Sequence, residues 1–463
     1  MIYHEFKKYK LMTKKGSWLI SNPLPDSSTS CNKDLNGGYG TWDRIGDNLF
    51  SKLIAKAKKS NIKLPVLCLG YIQEIIESND IQCFYTESYD ESIKIIENNE
   101  IEGVIIYGSI VACDLENKLI KEIKSLSKAK VIIVGTYPSK FPDRFEEAHH
   151  IICGEPEDFF MKWRGTLAEI TENSKIIKSD NLVDLDQLPL PKYITKYSKK
   201  FSYRPMLKSP TGFIEATRGC PYSCGYYCTY GENQGKIIRT HSVKSLIERM
   251  RELKKIHGFK SFQFRDPVFG LKKDFLENFC LEIIKSELSI EWGMETRIDL
   301  LNKPLLRLMS KSGLKSINIG IETPDEKIAA VNKRKVCSSD KQKDLINFAS
   351  KEGIRINAFY IIGLEEDDMQ SCLNTINYSL SLKTYMARFA VCTPYPGTEY
   401  YSDLNKNDRI ENKNLSSFNQ QELVYKHKSL SDKEVKYLIQ KAYLKYYLRP
   451  KIIFKIIKQR FSK

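Results

Sequence analysis

The stretch GFIEATRGCPYSCGYYCTYG, residues 212–231, places three cysteines directly after an apolar run typical of a buried strand. Cys220, Cys224 and Cys228 lie within nine residues, and three thiolates on one loop can each bind a different iron of a 4Fe-4S cluster. The loop holds no fourth cysteine, so one iron would stay open, as a catalytic metal requires. The spacing alone also allows a zinc site completed by His241, or three unrelated core cysteines.

Six strand candidates begin at this stretch, and segments of helical periodicity separate most of them. This βα repeat predicts a partial (βα)6 barrel with the cysteine loop at the carboxyl end of its first strand, where barrel active sites are built. The strand candidates are GFIEATR (212–218), SFQFRD (261–266), IEWGMETR (290–297), KSINIGIE (315–322), RINAFYIIG (355–363) and ARFAVCTPYP (387–396). The helix candidates are Ser242–Ile256, Lys272–Lys285, Lys303–Ser312, Asp340–Glu352 and Asp367–Leu380.

A second βα pattern precedes the barrel. Its short apolar runs alternate with amphipathic segments, which predicts a doubly wound parallel sheet with helices on both faces. Ligands of such sheets bind at the carboxyl ends of the strands, where the loops Asn36–Asn48 and Val134–Ser139 are expected. The strand candidates are SWLIS (17–21), IQCFYT (81–86), EGVIIYGS (102–109), KVIIVGT (130–136) and HIIC (150–153).

These patterns predict an α/β chain in four parts. Residues 1–165 form the N-terminal sheet domain, residues 166–210 a linker with the proline-containing LDQLPLPKY, and residues 211–395 the partial barrel. Residues 396–463 form a helical, basic C-terminal segment.

Composition narrows the class of protein. No apolar run approaches the roughly 20 residues that span a bilayer, and the N-terminus lacks the features of a secretory signal. Twelve cysteines in a cytoplasmic chain do not indicate a disulfide framework. The net charge of +16 comes partly from the tail, which has no acidic residue after Glu434. Since no aromatic-interleaved basic patch accompanies it, nucleic-acid binding is not the favoured interpretation.

The barrel resembles the radical S-adenosylmethionine (SAM) superfamily, in the branch that carries an N-terminal cobalamin-binding domain. The resemblance rests on the cysteine loop and on the motifs FRDPVF (264–269), WGMETRIDLL (292–301), INIGIET (317–323), FYIIGLEED (359–367) and CTPYPGTEYY (392–401). One departure concerns the loop, because the family spacing is CxxxCxxC and this chain has CxxxCxxxC. The resemblance implies an adenine contact for Tyr227, the aromatic residue that precedes the last cysteine.

The resemblance implies that the three cysteines hold a 4Fe-4S cluster whose open iron binds SAM, and that reduction of SAM gives a 5′-deoxyadenosyl radical. It further implies that Arg297 and Glu322 hold the charged end and the ribose of SAM. The alternatives are a salt bridge from Arg297 to Asp299 or Glu295, and a helix N-terminal charge for Glu322. Asp266 is either a third SAM contact or a structural cap.

The resemblance also implies a cobalamin site at the strand ends of the N-terminal sheet. Its candidate residues are Ser109, Gly135, Thr136, Gly154 and Glu155. The Asp-x-His-x-x-Gly loop that supplies a lower cobalt ligand is absent, as in many members of this branch, and Thr136 stands where the family has a second glycine. The alternative is a domain that binds nothing, in which the glycines serve strand-end turns.

The function that this resemblance implies is a cobalamin-dependent C-methyltransferase of a biosynthetic pathway. It would act on a small-molecule or biosynthetic-intermediate substrate, with an electron donor such as flavodoxin or ferredoxin. The alternatives are a radical SAM enzyme for ring rearrangement or cyclisation with a vestigial cobalamin domain and, more distantly, an RNA-modifying methylthiotransferase-like protein. A basic scaffold with a metal-stabilised loop is the non-enzymatic alternative.

Overall fold

The computed structural model describes residues 16–454 except 26–30, 43–48, 50–51, 53–61, 172–173, 180–181, 194–200, 223, 225–226, 336, 413 and 451. Residues 43–48 of the predicted glycine-rich loop and residues 455–463 of the predicted basic tail therefore lie outside the described part. The chain divides into two compact units. The first comprises residues 1–24, 68–108 and 114–182, and the second comprises residues 25–67, 109–113 and 183–463.

The first unit contains a six-stranded sheet in which all neighbouring strands are parallel, in the order β2-β1-β3-β4-β5-β6. Its central strand β3 is almost completely buried, as expected for a sheet that is covered on both faces. The five predicted strands are confirmed. The strands are β1 (Ser17–Ser21), β2 (Cys83–Thr86), β3 (Ile101–Tyr107), β4 (Lys130–Val134), β5 (His150–Gly154) and β6 (Ile176–Ser179).

The second unit contains a six-stranded parallel sheet in simple chain order, β7 to β12, which is the topology of a partial barrel. All six predicted barrel strands are confirmed. They are β7 (Thr211–Ile214), β8 (Ser261–Phe264), β9 (Glu291–Thr296), β10 (Leu314–Glu322), β11 (Arg355–Ile362) and β12 (Met386–Val391).

Helices cover the crossovers between these strands. The five predicted barrel helices are all found, and their ends differ from the predicted ends by at most two residues. They are α8, α9, α10, α12 and α13 among the helices whose bounds follow. The helices are α1 (Leu67–Ser78), α2 (Tyr89–Asn98), α3 (Cys113–Leu126), α4 (Thr136–Lys140), α5 (Pro156–Lys162), α6 (Leu167–Thr171), α7 (Tyr230–Asn233), α8 (Val243–His257), α9 (Lys273–Lys285), α10 (Lys303–Lys311), α11 (Glu326–Val331), α12 (Ser339–Lys351), α13 (Met369–Ser381), α14 (Glu399–Lys406) and α15 (Asp432–Tyr447). None of the helices in the described ranges is long and apolar enough to cross a bilayer.

The two units differ from the predicted domain boundaries at two places. Strand β6 lies inside the predicted linker and forms the edge of the first sheet, and residues from 183 onward group with the barrel. Residues 25–67, predicted as part of the N-terminal domain, also group with the barrel unit. In that unit Cys31–Asn32 pairs with Thr41–Trp42, and Ile62–Lys63 pairs with Ser202–Tyr203.

Candidate active site

The cysteine loop begins where the first barrel strand breaks. Strand β7 ends at Ile214, and the chain then forms a short ribbon in which Thr217–Arg218 pairs with Arg239–Thr240. Gly219 follows with φ +97°, and a Cβ there would lie 2.0 Å from the carbonyl oxygen of Ile237. Only glycine fits this position, which turns the chain into the loop at Cys220.

The buried carboxylate of Asp266 holds that break in place. Both of its oxygens accept a hydrogen bond from the backbone N–H of Ala216 at 3.1 Å, and Oδ1 also accepts from the N–H of Thr217. Asp266 is 1% exposed, and burial raises its pKa to about 7. These contacts favour the structural cap, the second of the two roles weighed for this residue.

The three thiols share one neighbourhood at the mouth of the barrel. Cys220 is buried and its amide donates to Gly235, while the Cys228 amide donates to the Cys224 carbonyl at 3.2 Å. Burial raises the pKa of Cys220, and it raises that of Cys228 to about 12, with the other two thiols adding to the rise. Sulfurs in such surroundings lose their protons when they bind a metal, which offsets the cost of burial.

The donor set fits an iron–sulfur cluster. In the described part of the chain, no three Cys, His, Asp or Glu side chains converge closely enough to hold a single metal ion. Thiolates that each bind a different iron of a cube do not need to meet at one point. His241, the candidate fourth zinc ligand, instead pairs through Nδ1 with Asp186 Oδ1 at 3.0 Å.

Arg297 connects the cysteine loop to the end of β9. Its Nη1 lies 3.8 Å from the Cys224 sulfur, and its guanidinium carbon lies 4.3 Å from the centre of the Tyr222 ring. Its Nε and Nη2 donate to the two oxygens of Asp299 at 3.0 and 3.1 Å, the salt bridge expected as the alternative role. The pairing with Asp299 orients the guanidinium while Nη1 faces the cysteine.

Glu322 ends β10 in a strained conformation. Its φ is +64°, and the pairing of β10 with β11 shifts register between Gly320 and Glu322, which marks a bulge. The carboxylate lies 3.1 Å from Nη1 of Arg334, whose Nη2 donates to the Gly320 carbonyl at 2.5 Å. A Cβ on Gly320 would lie 2.3 Å from Glu322 Oε1, so glycine makes room for this carboxylate.

Tyr227 is half-buried and lies near the same charged groups, with its hydroxyl shielded from solvent. Burial raises its pKa well above the usual range, with Glu322 adding to the rise and Arg334 opposing it. The pKa of Glu322 is also raised by burial, against the opposing charge of Arg334. The structure therefore brings together Tyr227, Arg297, Glu322 and the three cysteines, and it places Asp266 under the loop.

Backbone packing accounts for the glycines at the strand ends of the first unit. A Cβ on Gly135, which follows β4 with φ +125°, would lie 2.9 Å from the Gly108 carbonyl oxygen. A Cβ on Gly154, with φ +101°, would lie 2.5 Å from the Ser179 carbonyl oxygen. The hydroxyl of Ser139 joins both turns, since it donates to the Gly135 carbonyl at 2.6 Å and accepts from the Gly154 amide at 3.1 Å.

The other candidate cobalamin residues follow the same strands. Ser109 is buried two residues after β3, Thr136 is the first residue of α4, and Glu155 is the N-cap residue of α5. The small residues at these ends are compatible with a flat ligand that approaches the backbone. They are equally explained as strand-end turns.

Four residues that shape these sites were not predicted. They are Tyr222, Arg334, Ser139 and Gly320, whose missing side chain leaves room for the Glu322 carboxylate. Arg334 lies in the basic run Lys333–Lys335 after a short helix, and only its distance of 3.1 Å from Glu322 distinguishes it from a surface cation.

The sequence model of the Radical SAM superfamily matches residues 214–377, which include the cysteine loop, Arg297 and Glu322. An uncharacterized methyltransferase of Pyrococcus horikoshii is 28% identical over 59% of this chain and 59% of its own length. The anaerobic magnesium-protoporphyrin IX monomethyl ester cyclase of Rubrivivax gelatinosus is 30% identical over 51% of this chain and 42% of its own. The alignments thus span less than two thirds of either relative.

Other similar proteins align with a larger share of the chain. The bacteriochlorophyllide d C-8(2)-methyltransferase of Chlorobaculum tepidum is 24% identical over 71% of this chain and 74% of its own length. The structure of the radical SAM methyltransferase TsrM from Kitasatospora setae has a TM-score of 0.65 at 13% identity, covering 85% of this chain and 76% of that one. The cobalamin-dependent SAM radical enzyme OxsB has a TM-score of 0.67 at 13% identity, covering 96% and 70%. Residues 214–377 thus match the sequence model of the Radical SAM superfamily, and the fold of the chain is similar to the folds of TsrM and OxsB.

Proposed function

We propose that the protein is a cobalamin-dependent radical SAM enzyme that methylates an unactivated carbon of a small-molecule substrate. The observation that carries this proposal is the convergence of three thiols from one loop with Arg297, whose Nη1 lies 3.8 Å from the Cys224 sulfur. The guanidinium of Arg297 and the cysteine sulfurs thus lie together at the carboxyl end of the barrel, where the active sites of barrel enzymes are found. The match of residues 214–377 to the radical SAM superfamily supports the same conclusion.

The proposal assigns a role to each residue. Cys220, Cys224 and Cys228 hold a 4Fe-4S cluster, and Arg297 pairs with the carboxylate of SAM while Asp299 and Tyr222 keep its guanidinium in place. Glu322 accepts hydrogen bonds from the ribose, held in its strained position by Arg334. The cluster and cobalamin, when bound, supply reductive cleavage of SAM and a methyl carrier.

The methyl-transfer part of the proposal depends on the first unit. The two bacteriochlorophyllide d methyltransferases of Chlorobaculum tepidum align with 67% and 71% of this chain, whereas the cyclase aligns with 51%. Ser109, Gly135, Thr136, Gly154 and Glu155 are the proposed cobalamin contacts. The protein would act in the cytoplasm and take electrons from a flavodoxin or ferredoxin.

A second function has two observations in its favour. The cyclase relative, at 30%, has the highest identity of the relatives named above, and the strand-end glycines need no ligand to explain them. In that alternative the barrel cleaves SAM, and the first unit binds nothing.

The test is an anaerobic reaction of the reconstituted protein with SAM, dithionite and an extract of small metabolites as the source of substrate. Formation of both 5′-deoxyadenosine and S-adenosylhomocysteine is the expected result. 5′-Deoxyadenosine alone would support the second function. Absence of both products, with an intact cluster and bound SAM, would contradict the radical proposal itself.

A further inference from the structure

A second charged group lies at the mouth of the barrel, apart from the proposed SAM contacts. Arg265 directly follows β8, and its side chain is 5% exposed. Its Nη1 donates to Glu295 Oε1 at 2.9 Å, so one edge of the guanidinium is firmly paired. Arginine is a planar fork, and its other edge, Nε with Nη2, has the geometry that receives a carboxylate in bidentate fashion.

That other edge is only loosely held. Nε lies 3.5 Å from Asp34 Oδ2, and among the described residues Nε has no hydrogen-bond partner. Nη2 reaches only the Asp34 backbone carbonyl, at 3.3 Å. A buried donor without a partner is costly, so this edge would gain from a better-placed anion.

Asp34 belongs to a segment that closes over the barrel, Cys31–Trp42, which we term the strap. Asn36 Nδ2 donates to the Tyr395 hydroxyl at 2.8 Å, and the Tyr39 hydroxyl donates to the Pro396 carbonyl at 3.0 Å. The Thr41 hydroxyl donates to the Asn419 carbonyl at 2.8 Å. The strap is thus fixed to other parts of the barrel unit at Asn36, Tyr39 and Thr41, whereas the Asp34 side chain approaches Arg265 only at 3.5 Å.

Arg265 and Asp34 lie near the cysteine loop. Tyr230, two residues after Cys228, is half-buried, and Glu295, Arg265, Asp34 and Cys228 are its charged or ionisable neighbours. The Thr229 hydroxyl donates to the Asn36 carbonyl at 2.6 Å, which ties the loop to the strap. A group bound at Arg265 would therefore lie beside the loop that carries the proposed cluster.

Three amide side chains lie on barrel strands near Glu295, which is on β9: Gln263 on β8, Asn318 on β10 and Asn357 on β11. Asn318 Nδ2 donates to Glu295 Oε1 at 3.3 Å, and Asn357 Nδ2 donates to Asn318 Oδ1 at 3.1 Å. Asn357 Oδ1 and Gln263 Oε1 are buried and have no hydrogen-bond partner among the described residues. Buried acceptors without partners indicate a site whose hydrogen bonds are completed by a bound molecule or by water.

We propose that Arg265 anchors a carboxylate of the substrate through its Nε/Nη2 edge, and that Asp34 occupies this place in the free protein as an internal competitor. This inference rests on the proposed function, because it takes the barrel mouth as the substrate site. It adds that the substrate is a carboxylic acid and that the strap must release Arg265 before the acid binds.

The charges explain why the competitor matters. Asp34 and Glu295 carry two negative charges against the single positive charge of Arg265, so the pocket repels a second anion while Asp34 is ionised. Burial raises the pKa of Asp34 to about 6; Arg265 and Arg218 oppose this rise, and Glu215 adds to it. Asp34 therefore loses its charge as the pH falls through about 6, and the pocket then accepts a carboxylate more readily.

The test uses propionate as the probe and propionamide as its neutral counterpart, with binding to the full-length protein followed by ligand-observed NMR. We expect Asp34→Asn to bind propionate at least about fivefold more tightly than the unchanged protein at pH 7.5. We also expect the affinity of the unchanged protein to rise between pH 7.5 and 5.5. That of Asp34→Asn should rise clearly less, because only Asp266, next to Arg265 and with its pKa raised to about 7, still titrates in this range. Glu248→Gln, which breaks an exposed pair with Arg251, is the matched control for charge.

One further variant keeps the inference falsifiable. Arg265→Lys retains the charge without the planar fork and should lose most propionate binding while it remains folded, which thermal unfolding checks. Equal binding of propionate and propionamide, or an Asp34→Asn affinity no higher than that of Glu248→Gln, would overturn the inference. Preferential binding of inorganic phosphate by Asp34→Asn would overturn the assignment to a carboxylate. None of these outcomes depends on SAM cleavage, so the proposed function is tested separately.

Discussion

At the carboxyl ends of β4 and β5, the chain uses glycines whose missing side chains are explained by nearby carbonyl oxygens. At the ends of β9 and β10, it uses a paired arginine and a glutamate held at φ +64° beside an arginine. A turn needs only small residues, whereas a buried, strained charge costs free energy that turn formation does not require. The barrel ends therefore carry strong evidence of a ligand site from side chains alone, and the first sheet does not.

The largest expected effect concerns the cysteine loop. Cys224→Ala removes one of three proposed cluster ligands, so we expect SAM cleavage to fall to background and about four irons per chain to be lost. Iron analysis and 5′-deoxyadenosine formation measure this change. Cys280→Ala, on helix α9 and apart from the loop, is the control and should retain its iron. Full iron content in Cys224→Ala would show that Cys224 does not hold a cluster. The strand ends of the barrel would then have no stronger claim to a ligand site than those of the first sheet.

Gly154→Ala tests whether the glycine at the end of β5 is required by the backbone turn or by a bound ligand. The added Cβ would meet the Ser179 carbonyl at 2.5 Å in a residue with φ +101°, so we expect a loss of about 1–3 kcal/mol in the free energy of unfolding. Gly353→Ala has φ +76° but no atom within 4 Å of the new Cβ, so it isolates the cost of the backbone conformation. If Gly154→Ala lost cobalamin without losing stability, a ligand rather than a turn would explain this glycine.

The sequence predicted the regular elements well because each barrel strand is a local apolar run with its own flanking helix. It missed β6, in which only Ile177 is buried, so this edge strand lacks the apolar run of a central strand. It also missed that the strap belongs to the barrel unit. The hydrogen bond from Asn36 to Tyr395 joins residues 359 positions apart, and no local pattern indicates such a contact.

The structure brings several of the predicted site residues close to one another, and their roles stay predictions. The cysteines, Arg297 and Glu322 follow strands whose ends could be located from sequence. The partners Arg334 and Asp299 depend on how side chains from separate loops meet, which sequence spacing does not determine. For Asp266, only the observed hydrogen bonds to Ala216 and Thr217 distinguish a cap from a ligand contact.

Asp266→Ala tests whether Asp266 is a structural cap or a contact of SAM. Two buried backbone N–H groups lose their acceptor, so we expect the free energy of unfolding to fall by about 1–3 kcal/mol. The affinity of the folded protein for SAM should change little. Asp325→Ala, which removes a comparable cap at the start of α11, is the matched control. A large loss of SAM affinity at unchanged stability would instead make Asp266 a ligand contact.

Gly320→Ala should give the smallest effect and the most selective one. Its Cβ would displace the Glu322 carboxylate, which lies 2.3 Å from that position, so we expect SAM to bind about tenfold more weakly, or ~1.4 kcal/mol. Equilibrium dialysis with labelled SAM measures this change. Unchanged SAM affinity with a displaced carboxylate would exclude Glu322 from the site.

The central claim is that three thiolates of one loop hold a 4Fe-4S cluster with one iron open to SAM. Electron paramagnetic resonance of the reduced, reconstituted protein, recorded before and after addition of SAM, tests this claim directly. We predict a 4Fe-4S signal whose g-values shift when SAM is added, because SAM then binds the open iron. A cluster signal that SAM leaves unchanged, or no cluster signal at all, would contradict the account.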